Sequence, residues 1–175
     1  MPTATLEKGA LAAIKALAFD VDGTLTDGGL WWGLNGEEMK RFCFADVMGV
    51  SLARRAGYTI GLISGEDSPL VDRFAAKLLL QDVTKGCRDK AAALSSFAER
   101  HGLSLSEVCF MGDDVNDLPA LKIAGLAAAP ADARPEVLAA ADYVSSRPAG
   151  NGAVRELVDA LLAARGLTPQ EAFRL

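Results

Sequence analysis

Three carboxylates, Asp20, Asp22 and Asp27, stand close together in the stretch ALAFDVDGTLTDGG. A second acidic group, Asp113, Asp114 and Asp117, lies in VCFMGDDVNDLPAL. Between them come Ser64 in IGLISGE and Lys90 in GCRDKAAAL. Each of the four stretches sets its reactive side chains just beyond a run of apolar residues. Carboxylates brought together repel, since unit charges 4 Å apart cost about 4 kcal/mol per pair at an effective dielectric of 20. A cluster of Asp20, Asp22 and Asp113 therefore calls for a cation. Oxygen donors with no His or Cys beside them select Mg²⁺, which keeps waters that a phosphate can replace. Lys90 adds a second positive charge, and the Ser64 hydroxyl with loop N–H groups can bind phosphoryl oxygens. Such a set suits phosphoryl transfer, in which a carboxylate attacks phosphorus and cations neutralise the equatorial oxygens.

The first two aspartates need different tasks. One must stay ionised as nucleophile; the other must give a proton to the leaving alkoxide and later take one from water. Residues i and i+2 of an extended segment share a face, so the D-x-D spacing suits this pair. Gly23 lets the chain turn away behind them. Asp27 reads as a loop cap. The single histidine, His101, closes a helical pattern in FAERHGLS, where a cation suits the helix dipole. A mechanism that needs histidine is disfavoured.

Parallel strands are the elements that bring these stretches to one edge. Short apolar runs predict strands over Leu17–Val21, Thr59–Ile63, Gln81–Val83, Val108–Met111, Leu126–Ala129 and Tyr143–Val144. Amphipathic patterns predict helices over Val47–Ala56, Ser68–Leu79, Arg88–His101, Asp117–Ile123, Pro135–Ala139 and Ala153–Arg165. This alternation implies an α/β fold with a parallel sheet covered on both faces. Ligands of such sheets bind beyond the carboxyl ends of the strands. One piece breaks the pattern. GGLWWGLNGEEMKRFCF has an Asn35-Gly36 turn between aromatic-rich flanks, Leu30–Trp32 and Met39–Phe44, which signals a β-hairpin. Trp31 and Trp32 then face opposite sides, and burial against another subunit is the expectation for them.

The 175 residues suit one domain, residues 1–175, with a hairpin flap over about 28–45 and a C-terminal helix and tail over about 153–175. Half the residues are hydrophobic and 23% are charged, a globular balance. The net charge of −5, without a block of like charges, argues against nucleic acid or an anionic membrane as partner. The first ten residues lack a cationic segment followed by an apolar core, so no secretory signal is expected. Cys43, Cys87 and Cys109 are far apart and odd in number, which fits reduced, mostly buried thiols and a cytoplasmic protein.

DVDGTLT, the Ser64 turn, Lys90 and GDDVND, in this order, resemble the four motifs of the haloacid dehalogenase superfamily of phosphatases, and with them its Rossmann-like fold. The resemblance implies that Asp20 is the nucleophile, forming an aspartyl-phosphate. Asp22 would be the general acid/base, giving the ion its backbone carbonyl, and Asp113 the side-chain metal ligand. Asp114 and Asp117 would position metal waters and Lys90, while Ser64 and Lys90 would hold the phosphoryl group.

Neither interval between the motifs has room for a cap domain. An uncapped site admits water, so a neighbouring subunit should close it. This resembles the capless tetrameric branch that dephosphorylates 2-keto-3-deoxy sugar acids, either KDO 8-phosphate or KDN 9-phosphate. NGEEMKRF, Asp46, Gly49, GDDVNDLPAL and GNGAVRELVD carry that likeness, and it implies a homotetramer. Gly65-Glu66 replaces the Gly-Arg usual in the octulosonate enzymes. Glu66 with Lys77 is similar to the nonulosonate branch, yet Phe74 stands where that branch has Arg, with Arg73 adjacent. The implied substrate contacts are Gly65, Glu66, Asp46, Lys77 and Arg155. An alternative is a catalytically silent domain retained as an assembly partner of a sugar-activating cytidylyltransferase pathway.

Overall fold

A computed structural model of the chain describes residues 8–175; most of the segment read for a secretory signal lies outside the described residues. In chain order the elements are α1 (Lys8–Ala13), β1 (Ala16–Phe19), β2 (Trp31–Trp32), β3 (Glu38–Met39), α2 (Phe44–Arg55), β4 (Thr59–Ile63), α3 (Pro69–Leu78) and β5 (Asp82–Thr84). There follow α4 (Lys90–Arg100), β6 (Val108–Met111), α5 (Leu118–Ile123), β7 (Leu126–Ala129), α6 (Pro135–Ala140), β8 (Tyr143–Val144), α7 (Ala153–Ala164) and α8 (Pro169–Arg174). Six strands form one parallel sheet in the order β5-β4-β1-β6-β7-β8. The connections leave β1 toward β4 on one side and later return to β6 on the other. That reversal opens a crevice beyond the carboxyl end of β1, the usual ligand site of such sheets.

Alternation along β1 explains why both faces are covered. Leu17 and Phe19 join a core with α2, α3 and α7. Ala16 and Ala18 point the other way, into a core with Leu94 and Phe97 of α4, Leu121 of α5 and Val137 of α6. Small residues on this second face let helices approach closely. At Gly61 of β4 any Cβ would press on the Phe97 ring.

The hairpin pairs Trp31 with Met39 and Trp32 with Glu38 in antiparallel register. Gly36, at φ +86°, takes the left-handed conformation its turn requires. Pairing within the hairpin is shorter than the sequence suggests. Phe44, expected in the second flank, opens α2 instead, with Cys43 in extended conformation before it and Asp46 in the first turn. Thr26 bridges to Phe42, and the Phe42 ring stacks on Phe74 at 4.5 Å, fastening the hairpin to α3. Both tryptophans are exposed, Trp31 by 50% and Trp32 by 74%. Two short helices, α1 and α8, escaped the sequence reading. Among the described residues no helix is long and apolar enough to cross a membrane.

Candidate active site

Strand β1 ends at Phe19, and the chain then delivers Asp20 and Asp22 into the crevice. Asp20 is 5% exposed, and the buried ammonium of Lys90, at the start of α4, lies 2.8 Å from its Oδ1. The same ammonium lies 2.6 Å from Oδ1 of Asp117. The other Asp117 oxygen accepts from the backbone N–H groups of Asp113 and Asp114 at 2.9 and 3.2 Å. Asp117 is thus fully committed, as a brace between Lys90 and the loop after β6. Asp113 reaches in from that loop, and Thr24 donates to its Oδ1 at 3.2 Å. Gly23 makes the approach possible: at φ +89° it carries no Cβ, and a Cβ there would overlap the Asp113 carboxylate.

One oxygen from each of Asp20, Asp113 and Asp117 lies within 4.8 Å of the other two. Burial raises the Asp20 pKa from 3.8 to about 6, helped by repulsion from Asp117 and opposed by Lys90. Burial, with repulsion from Asp20 and Asp117, raises Asp113 to about 7. Burial disfavours the charge on Lys90, yet the flanking carboxylates win and its pKa is raised. Two carboxylates driven toward protonation by burial and by neighbouring carboxylates form a site that lacks positive charge. A divalent cation with a preference for hard oxygen donors fits it.

Asp22 departs from this group. Its Oδ1 lies 2.7 Å from Nζ of Lys40, whose side chain is 5% exposed at the foot of the hairpin, and its Oδ2 is buried without a partner. The Asp22 carboxylate is therefore held apart from Asp20 and Asp113. An open depression of about 390 Å³ lies over these groups, lined by Asp20, Asp22, Gly65, Glu66, Lys90, Asp113, Asp114, Val115 and Asn116. Ser64 itself is fully buried, with Oγ accepting from the Glu66 N–H at 3.1 Å, so Gly65 and Glu66 form that part of the wall. Asp114 caps the turn after it by accepting from Val115 N–H at 2.7 Å.

Residues 71–157 match the haloacid dehalogenase-like hydrolase family. The 3-deoxy-D-manno-octulosonate 8-phosphate phosphatase KdsC of Escherichia coli K12 is 38% identical over 87% of this chain and 81% of its own. The chain belongs to the haloacid dehalogenase-like hydrolases. Within this hydrolase family, the solved structures it resembles include 3-deoxy-D-manno-octulosonate 8-phosphate phosphatase from Moraxella catarrhalis, bound to magnesium, phosphate and KDO. That protein is 34% identical with a TM-score of 0.87, and 90% of each chain is covered. The cobalt-bound form of the corresponding Haemophilus influenzae phosphatase is 37% identical, with a TM-score of 0.87 and coverage of 90% and 92%.

Three residues that the resemblance marks for substrate contact do not line this depression in the folded hydrolase. Asp46 is buried, and its two oxygens accept from the N–H groups of Gly152 at 3.0 Å and Arg155 at 2.9 Å. Helix α7 begins at a glycine that has no side chain to cap it, and Asp46 of α2 supplies the missing acceptor. Gly49, one turn on, lets the two helices meet, since a Cβ there would strike the Arg155 backbone. Arg155 turns its guanidinium to Asp159 at 2.8 Å. Lys77 lies over the Phe44 ring, in a separate pocket of about 290 Å³ with Arg73 and Phe74. Phe74 is buried against Phe42, which explains why no charged residue stands there.

Asp27 behaves as a cap, accepting from Gly29 N–H at 3.0 Å and pairing with Arg41. His101 ends α4 and meets Asp82 at 2.8 Å, remote from the acidic cluster. The sequence reading missed Lys40 and Thr24 as site residues. A lysine in the second flank of a hairpin that follows the D-x-D loop was the available signal for Lys40.

Proposed function

We propose that this protein is a Mg²⁺-dependent phosphoric monoester hydrolase acting on a 2-keto-3-deoxy sugar acid phosphate, either KDO 8-phosphate or a nonulosonate such as KDN 9-phosphate. The observation that carries the reading is the convergence of Asp20, Asp113 and Lys90 at the mouth of the crevice, with Asp22 beside them but outside the charge cluster. Asp20, Asp113 and the backbone carbonyl of Asp22 would hold the cation. When bound, Mg²⁺ supplies neutralisation of the charge on the phosphoryl oxygens.

Lys90 occupies Oδ1 of Asp20, which leaves Oδ2 to attack phosphorus. The bond from phosphorus to the sugar oxygen breaks as the Asp20 Oδ2–P bond forms, giving an aspartyl-phosphate. Asp22 delivers its proton to the departing alkoxide and is left as a carboxylate. That carboxylate then takes a proton from water, whose oxygen attacks phosphorus and returns Asp20 as free carboxylate with release of phosphate. Glu66 and Gly65 on the wall would face the sugar acid.

The depression is open, and the hairpin that reaches Asp22 through Lys40 exposes Leu30, Trp31, Trp32 and Leu34. Both features support a homotetramer in which a neighbouring hairpin closes the site. Among the described residues the three cysteines form no disulfide, which supports a cytoplasmic location. The test is a steady-state screen of KDO 8-phosphate and KDN 9-phosphate with Mg²⁺, on the wild type and Glu66→Arg. One of the two should dominate kcat/KM, and charge reversal at residue 66 should change their ratio. Equal, negligible turnover of both would refute the substrate class.

A further inference from the structure

The Lys40–Asp22 pair ties the hairpin to the D-x-D loop. Lys40 lies just past β3, and its side chain is nearly as buried as that of Lys90. An ammonium buried this far is costly unless it meets a partner, and its partner is Oδ1 of Asp22 at 2.7 Å. The second Asp22 oxygen has no partner, although it too is shielded from solvent. One oxygen is therefore anchored and the other is left available beside the depression. Asp20 and Asp113 each offer an oxygen to a group that lies within 4.8 Å, and Asp22 is not part of that group. Without an anchor, the Asp22 side chain would be free to turn toward the cation that those two residues attract.

We propose that Lys40 is a positioning residue: it fixes the Asp22 carboxylate outside the metal-binding group, with one oxygen presented to the leaving group. The inference rests on Asp22 being the general acid, as proposed above, and extends that reading to the hairpin. Lys40 follows directly on the strand pair, and Glu38 in that pair accepts from Ser68 Oγ at 3.3 Å. The hairpin is thus connected both to the proton donor and to Ser68, which caps the start of α3. Whatever seats the hairpin also seats the acid.

Two esters that differ only in their leaving group separate positioning from general support of the fold. p-Nitrophenyl phosphate releases a weakly basic oxygen that needs little protonation, whereas phenyl phosphate releases a more basic one. The measurement is kcat/KM for both esters with Mg²⁺, for the wild type, Asp22→Asn, Lys40→Met and Lys40→Arg. The ratio of the two values does not depend on the fraction of enzyme that has folded. Asp22→Asn should depress phenyl phosphate about tenfold or more beyond p-nitrophenyl phosphate, within the range for loss of a general acid. Lys40→Met should reproduce that selective loss, and Lys40→Arg should recover most of it. If Lys40→Met lowers both esters by one factor while Asp22→Asn remains selective, Lys40 only supports the fold and the inference fails alone. If Asp22→Asn is itself unselective, Asp22 is not the acid, and both readings fall.

Discussion

Replacing Asp20, the proposed nucleophile, by Asn should make the metal-free protein more stable while abolishing turnover. Asp20 is buried beside Asp117 and has a pKa of about 6 against an ordinary 3.8. The folded chain therefore binds more protons than the unfolded chain between those two values. Stability from this group is fully present below pH 3.8 and is lost as pH rises through about 6. The displacement of about 2 pK units corresponds to about 3 kcal/mol at neutral pH and above, at about 1.4 kcal/mol per unit. Asn resembles the protonated Asp, retains an oxygen for Lys90 and has no charge to bury. Asp20→Asn should then gain up to about 3 kcal/mol in EDTA at pH 8, or roughly 6–12 °C in Tm for a chain of this size.

The comparison is made by thermal melts of both proteins in EDTA from pH 4 to pH 8. The gap should be small at pH 4, widen through about pH 6 and then level off. Adding Mg²⁺ should raise the wild type more than the variant, because only the wild type keeps the full set of carboxylates and binding to the folded state adds stability. A gap that is constant across this range, or a variant less stable than the wild type at pH 8, would refute the account of Asp20 as a strained buried carboxylate.

Asp46→Ala should cost about 1–2 kcal/mol in a denaturant titration, through loss of the acceptor for α7, while kcat per folded molecule stays unchanged; a large fall in kcat at full folding would return Asp46 to the substrate. Light scattering at micromolar concentration should find the wild type assembled and Trp32→Glu in a smaller species, and a monomeric wild type would remove the proposed closure by a neighbour.

The strands and the motif residues were legible because both are local. Apolar runs of four or five residues define β1, β4 and β6, and the reactive residues follow each run within a few positions. Position in the sheet does the rest, since parallel strands bring their carboxyl ends together whatever the loops do. Short elements were less legible. Helix α8 was read as a tail, although Thr168, Pro169 and Glu171 form the capping box and N-terminal proline that announce it. The fate of Asp46 could not be read at all, because its partners are backbone N–H groups 106 and 109 positions away. A carboxylate just past the hairpin gives no sign along the chain that a helix more than a hundred residues on begins against it.

The same distinction separates the two buried lysines. Lys90 opens α4 after a loop on the sheet edge, so its place in the site follows from the strand-and-helix order. Lys40 sits on an insertion that the sheet does not position, and nothing in its neighbours along the chain fixes where its ammonium goes. The two lysines nonetheless divide the charge problem between them. Lys90 is shared by Asp20 and Asp117, whereas Lys40 serves Asp22 alone. Two ammonium groups thereby offset part of the charge of four clustered carboxylates, and a divalent cation would supply the rest where a phosphate enters. In this arrangement the sheet edge delivers Asp20, the proposed nucleophile, beside Lys90, and the hairpin holds Asp22, the proposed acid. A substitution that loosened the hairpin should then impair leaving-group protonation while leaving the cation site intact.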